Sequence, residues 1–273
     1  MAASLDQIVA ATRRRVAGAK ALADLRRLEQ RAEQHVPRGF RRALAAKSRT
    51  GPAIIAELKK ASPSRGLIRA NFDPSDLAGK LEAAGAAALS VLTDEAFFQG
   101  SLENLRRASA SSNLPCLQKD FVVDEFQLLE ARANGADAVL LIVAVLSQAE
   151  LVALAQKSRR LGLDALCEAH NAEELCRAVD AGSDLIGVNN RDLQTFKVDM
   201  NTALRLAETI PKSAVSVAES GIDGGADVAR LRGVGYQAFL IGESLMKAER
   251  PGEALKCLLV DAEREGSTLS TKP

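Results

Sequence analysis

From residue 50 onward the chain alternates between two kinds of apolar pattern. Short, almost uniformly apolar runs occur at AIIAEL (53–58), ALSVLT (88–93), PCLQKD (115–120) and AVLLIV (138–143). Four more follow at DALCEA (164–169), LIGVNN (185–190), AVSVAE (214–219) and AFLIGE (238–243). Their lack of apolar–polar alternation predicts strands covered on both faces. Between them lie longer amphipathic stretches such as PSDLAGKLEAAG, DEFQLLEARANG and SQAELVALAQKSRRLG. Several of these end in glycine, as helix C-termini prefer.

The phrases AAGAAALSV, ANGADAVLL and DAGSDLIGV share one plan: helix end, glycine, a small or acidic residue, strand. This is a βα repeat. Eight units over about 220 residues match the size of a closed α/β (β/α)₈ TIM barrel. A doubly wound open sheet is the alternative, but the G-x-G-x-x-G turn it would want after an early strand is missing.

The first fifty residues carry no strand signal. LDQIVAATRRRVAGAK reads as an amphipathic helix with Leu5, Ile8, Val9 and Val16 near one face. Its Arg- and Ala-rich, acid-poor character resembles a transit peptide only faintly. One or two helices are expected here, with HVPRGF as a loop before the barrel. The predicted organisation is a helical extension over 1–50 packing on the barrel, a catalytic barrel over 51–263, and a flexible polar tail over 264–273.

Composition narrows the function classes. A net charge of +1 supports neither a nucleic-acid nor an anionic-membrane partner. No apolar run approaches the roughly 18 residues of a membrane span. Tyr236 is the only tyrosine and tryptophan is absent, so aromatic platforms for stacking bases are not expected. Two histidines, His35 and His170, are too few for a multi-histidine metal site. Cys116, Cys167, Cys176 and Cys257 match neither zinc nor C-x-x-C spacing and read as small packing residues suited to a reducing cytoplasm.

The strand ends carry the chemistry. In a βα barrel the functional face lies at the C-terminal ends of the strands. There the sequence places Glu57 and Lys59, Lys119 and Asp120, Glu168, Asn189, Asn190 and Arg191, then Glu219, Ser220 and Gly221, and Gly242, Glu243 and Ser244. Lys60, Asp120 and Glu243 read equally well as solvated or capping residues. Glu57, Lys59, Lys119 and Glu168 end apolar runs, where burial suits them to proton transfer. AESGIDGG and LIGES put Ser and Gly directly after strands seven and eight, where barrels often hold phosphate.

Taken in order, IIAELKKASPSRGLI, LSVLTDEAFFQGSLENL, LQKDFVVDEFQLLEARANGADAVLLI, EAHNAEEL, IGVNNRDLQTFKVD, VAESGI and FLIGESLM resemble indole-3-glycerol phosphate synthase of tryptophan biosynthesis. The resemblance covers nearly all of residues 50–250. It implies a carboxy-lyase acting on 1-(2-carboxyphenylamino)-1-deoxyribulose 5-phosphate, a small phosphorylated substrate, with no metal or organic cofactor. Lys119 is then expected as the acid of ring closure, and Lys59 with Glu57 as the pair for dehydration. Glu168 is expected as their electrostatic or proton-transfer partner and Glu219 as support for the charge network. Arg191 and Asn189 would hold the substrate's carboxylate or hydroxyls. Ser62, Ser220, Gly221, Gly242, Glu243 and Ser244 would surround the phosphate, under a closing SPSRG loop. Leu92, Phe97, Phe98, Phe121 and Leu141 would offer the apolar ring pocket.

One departure is Gln118, where the family more often has Cys; as the neighbour of an inward residue it should point away from the site. A phosphoribosylanthranilate isomerase would want a Cys and Asp pair at two strand ends, but Cys116 lies near the start of its strand. A barrel serving only as a scaffold should have lost its charged mouth. Oligomeric state stays open: a monomer is the expectation, with other tryptophan-pathway enzymes as potential partners.

Overall fold

A computed structural model describes residues 4–269. The eight expected runs all form strands: Ala53–Leu58, Ala88–Leu92, Cys116–Lys119, Ala138–Ile142, Asp164–Ala169, Leu185–Asn189, Val215–Glu219 and Ala238–Ile241. They are called strands one to eight below. Each pairs in parallel with its neighbours in chain order, and strand one closes onto strand eight through Ala53↔Ala238 to Ala56↔Ile241. The result is a closed eight-stranded parallel barrel ringed by helices.

Local chemistry agrees with the topology. Helices open on side-chain caps: Asp73 before Pro74, Ser147 with Glu150 in a capping box, and Asn171 accepting from Glu174 N. Gly85, Gly135 and Gly182, from the three repeated phrases, turn the chain from helix to strand at φ +97°, +87° and +73°.

Apolar side chains form two nested layers. Ile54, Val91, Val139, Leu141 and Ile186 face outward against the helices. Ile55, Leu117, Leu140, Leu166, Val217 and Leu240 face inward and fill the barrel.

Three helices, rather than one or two, precede the barrel: Leu5–Leu22, Leu25–Gln34 and Phe40–Ser48. Fully buried Phe40 and Leu44 of the third pack into the inner layer beside Ala53, Leu185 and Ala238, plugging the N-terminal end of the barrel. The HVPRGF loop is pinned there by Asp137. Its carboxylate, at 0% exposure, accepts from Arg38 N at 2.6 Å, Arg38 Nε at 2.9 Å and Cys116 N at 2.7 Å. The first helix lies at the opposite end, where Arg15 Nη2 reaches both oxygens of buried Asp120 at 3.1 Å. The extension thus spans the barrel from functional face to base.

At the C-terminus the helix Pro251–Leu269 runs through most of the expected tail, and residues 270–273 lie outside the described residues. Cys116 and Cys167 are buried free thiols, whereas Cys176 and Cys257 are exposed and do not pack as expected.

Candidate active site

Strand alternation builds the site. Glu57, Lys119, Glu168 and Glu219 occupy inward positions at the last turns of strands one, three, five and seven, with Lys59 just past the end of strand one. They converge on a cavity of about 400 Å³ at the C-terminal mouth. Gln118 points the other way, donating to Thr93 Oγ1 at 3.1 Å behind the sheet.

The charges form two connected groups. Lys119 Nζ lies 3.1 Å from Glu168 Oε2 and 2.9 Å from Glu219 Oε2. Lys59 Nζ lies 2.8 Å from Glu57 Oε1. All three carboxylates are at most 5% exposed. Burial alone would neutralise Lys119, but Glu168, Glu219 and Glu57 more than offset it and drive its pKa upward. Burial likewise opposes charge on Glu57, yet Lys59 and Lys119 hold its carboxyl below the usual range. Glu168 and Glu219 compete for one ammonium. Glu168 also faces His170 and is held low against the cost of burial, whereas burial and the Glu168 charge push Glu219 up to about 8.

Two glycines clear the space for these carboxylates. A Cβ on Gly187 would collide with Glu219 Oε1, and a Cβ on Gly242 would collide with Glu57 Oε1. Any larger residue at either position would displace a carboxyl group from the mouth.

At the other side of the cavity, Ser220 and Gly221 turn through left-handed backbone at φ +65° and +73°. Gly242, Glu243 and Ser244 begin the next short helix. Glu243 accepts from Lys247 Nζ at 2.6 Å and pairs with Arg65 Nε at 3.1 Å. Arg65 belongs to the SPSRG loop, which folds into a small antiparallel ribbon, Ala61↔Leu67 and Ser62↔Gly66, over the mouth. Asn189 Oδ1 accepts from Arg191 N at 3.0 Å, and Arg191 Nη1 donates to Phe196 O at 3.0 Å.

Of the expected residues, Glu57, Lys59, Ser62, Leu92, Lys119, Phe121, Glu168, Asn189 and Arg191 line this cavity. Glu219, Ser220, Gly221, Gly242, Glu243 and Ser244 line it too. Leu141 and Phe97 do not. Leu141 faces outward into the helix-side layer, while its neighbours Leu140 and Ile142 line the cavity. Strand four is apolar throughout, so no charged end betrays which alternate residues point in. Phe97 gives way to Phe98, whose ring lies 6.4 Å from that of Phe121. Asp120, read equally as solvated, is 4% exposed and tied to Arg15 and Thr93.

Other lining residues were not singled out from the sequence. Leu5 and Ile8 of the first helix roof the cavity, and Leu193, Phe196 and Val198 reach in from the loop after strand six. The apolar face of the first helix was visible, but not its destination. His170, beside Glu168, carried only the signal of being one of two histidines.

The chain matches the family model for indole-3-glycerol phosphate synthase over residues 5–258. An indole-3-glycerol phosphate synthase of Koribacter versatilis (strain Ellin345) is 57% identical over 259 residues, spanning 95% of this chain and 100% of that protein. Among solved structures, a 3-hexulose-6-phosphate synthase superposes with a TM-score of 0.62 at 13% identity, over 77% of this chain and 99% of that one. A thiamine phosphate pyrophosphorylase from Pyrococcus furiosus does so with a TM-score of 0.58 at 15% identity, over 78% and 96%. At such identities the structures speak for the barrel alone. The family match and the close relative, falling on a barrel whose mouth gathers these ammonium and carboxylate groups, settle the assignment: the chain belongs to the indole-3-glycerol phosphate synthase family.

Proposed function

We propose that Lys119, clasped by Glu168 and Glu219, is the acid of ring closure in the reaction this enzyme catalyses. That reaction converts 1-(2-carboxyphenylamino)-1-deoxyribulose 5-phosphate to indole-3-glycerol phosphate, CO₂ and water. As the aromatic carbon attacks the ketone, the ketone oxygen becomes an alkoxide and far more basic than the carbonyl it was. An ammonium raised above its ordinary pKa still donates to such an oxygen, and it does so only as charge develops. Loss of CO₂ from the same carbon then restores the aromatic ring.

Dehydration needs a proton for the departing hydroxyl and a base for the nascent ring. The Lys59–Glu57 pair, at 2.8 Å, carries both functions side by side. Glu168 balances the Lys119 charge. Arg191 and Asn189 orient the carboxylate or hydroxyls, the former with its forked donors. The phosphate sits against Ser62, Ser220, Gly221 and Gly242 to Ser244. The apolar wall of Leu92, Phe98, Phe121, Leu140 and Ile142 takes the anthranilate ring, with Leu5 and Ile8 above it. The SPSRG ribbon excludes water when substrate is bound. We place the enzyme in the cytoplasm as a monomer, where a small phosphorylated substrate of a biosynthetic pathway would be met.

One observation carries this reading: an ammonium facing the cavity between two buried carboxylates. Turnover followed by the fluorescence of the indole product tests it. Lys119→Ala should lose about 10²- to 10⁴-fold in kcat while inorganic phosphate still binds. Wild-type turnover in that variant would remove Lys119 from the role.

A further inference from the structure

His170 follows strand five directly and faces the same interior as Glu168. Its Nδ1 lies 2.9 Å from Glu174 Oε2, and its Nε2 lies 3.4 Å from Glu168 Oε1. Glu174 is itself fixed. Its Oε2 also accepts from His170 N at 2.8 Å, and its Oε1 accepts from Asn171 Nδ2 at 2.8 Å. The imidazole is 10% exposed, and Nε2 is buried and makes no hydrogen bond, with Glu168 Oε1 lying 3.4 Å from it. Both ring nitrogens therefore face carboxylate oxygens. A neutral imidazole can present a hydrogen to only one of them; an imidazolium presents one to each.

We propose that His170 is a positioning residue: an imidazolium, clamped by Glu174, that keeps Glu168 ionised and turned toward Lys119. Charges then alternate along a line from Glu174 through His170 and Glu168 to Lys119. Without His170, Glu168 and Glu219 would be two buried carboxyls with equal claims on the Lys119 ammonium. With it, the balance of negative charge tips toward Glu168, the carboxyl that faces a cation on each side.

A further carboxylate favours the same state, and Glu168 stands between the ring and the Lys119 ammonium that opposes it. Asp192, on the loop after strand six, is among the carboxylates that feel the His170 charge, while Lys119 and Glu219 lie beyond Glu168. Burial works against the cation, but Glu168 and Glu174 outweigh it and raise His170 to about 10.

The inference rests on the reading of Glu168 as part of the reacting centre, so the first measurement is independent of turnover. Imidazole ¹⁵N shifts of the wild-type enzyme at pH 8, with His35→Gln used to assign the second ring, should show His170 doubly protonated. A neutral ring overturns the proposal. In His170→Gln, kcat should fall about tenfold or more with KM nearly unchanged, and the acid limb of the kcat profile should rise by about one pH unit. Glu174→Gln should move the limb the same way, by less. An unmoved acid limb in a folded His170→Gln enzyme also overturns it. Wild-type kcat in Glu168→Gln would instead remove Glu168 from the reaction, and the ¹⁵N result would still decide the state of His170.

Discussion

Lys119 Nζ and Glu219 Oε2 meet at 2.9 Å from opposite sides of the barrel. Strands three and seven never pair; three other strands separate them in either direction around the ring. The contact exists because both side chains point inward at the same height. Lys119 is thereby held over the centre of the mouth, where Glu168 reaches it from strand five.

The two carboxylates should be separable by experiment. Glu219, pushed up to about 8, holds its proton at neutral pH, so Glu219→Gln imitates its working state. That variant should keep kcat within about tenfold of wild type at pH 7, whereas Glu168→Gln should lose about 10²-fold or more. Above about pH 8 the wild-type Glu219 ionises and tightens its hold on Lys119, so wild-type kcat should decline there. The decline should vanish in Glu219→Gln. Profiles of kcat against pH for the three proteins check this.

Gly187→Ala should disable the site from within the sheet. The new methyl would occupy the place of Glu219 Oε1 and press on Leu166. Overpacking of this kind costs about 1–3 kcal/mol, so the melting temperature should fall by several degrees while the barrel persists. Turnover should fall much further than stability, because Glu219 must move off Lys119. Calorimetry and product fluorescence on the same preparation separate the two effects.

Arg15→Ala should loosen the roof. Arg15 is the ionic partner of Asp120, which is 4% exposed and already raised by burial that Arg15 partly offsets. Removing it leaves a buried carboxylate with only Thr93 and Phe121 N as partners, at a cost of about 1–3 kcal/mol. Leu5 and Ile8 ride on the same helix and line the cavity. KM should therefore rise several-fold with a smaller change in kcat, as for an interaction made equally in ground and transition states.

Stability should fall from neutral to alkaline pH in a way that depends on His170. Its pKa rises from an ordinary 6.5 to about 10 on folding, so between those values the native protein binds a proton that the unfolded chain has lost. The stabilisation is complete below about pH 6.5 and disappears as pH climbs through about 10. For a buried pair of this kind it is on the order of a few kcal/mol. Melting temperatures across this range should drop in the wild type and drop less in His170→Gln.

The eight strands and the ends at which charges gather were legible along the chain, because a strand covered on both faces must be apolar throughout and an active-site residue must break that run. Glu57, Lys119, Glu168 and Glu219 each do so at an inward position, so their parity could be read from their own charge. Strand four has no such residue, so its run of apolar side chains does not distinguish the inward Leu140 and Ile142 from the outward Leu141. The three-helix form of the extension was also hidden, since Phe40 and Leu44 look like any amphipathic pair until the base of the barrel receives them. What the sequence determined alone was the repeat, its hydrophobic period and the chemical identity of the strand ends, all properties of neighbouring residues. Which charges touch, that Glu168 meets His170 as well as Lys119 while Glu219 meets Lys119, and that the first helix roofs the cavity were decided only by ring closure, which brings residues about a hundred positions apart within hydrogen-bond reach.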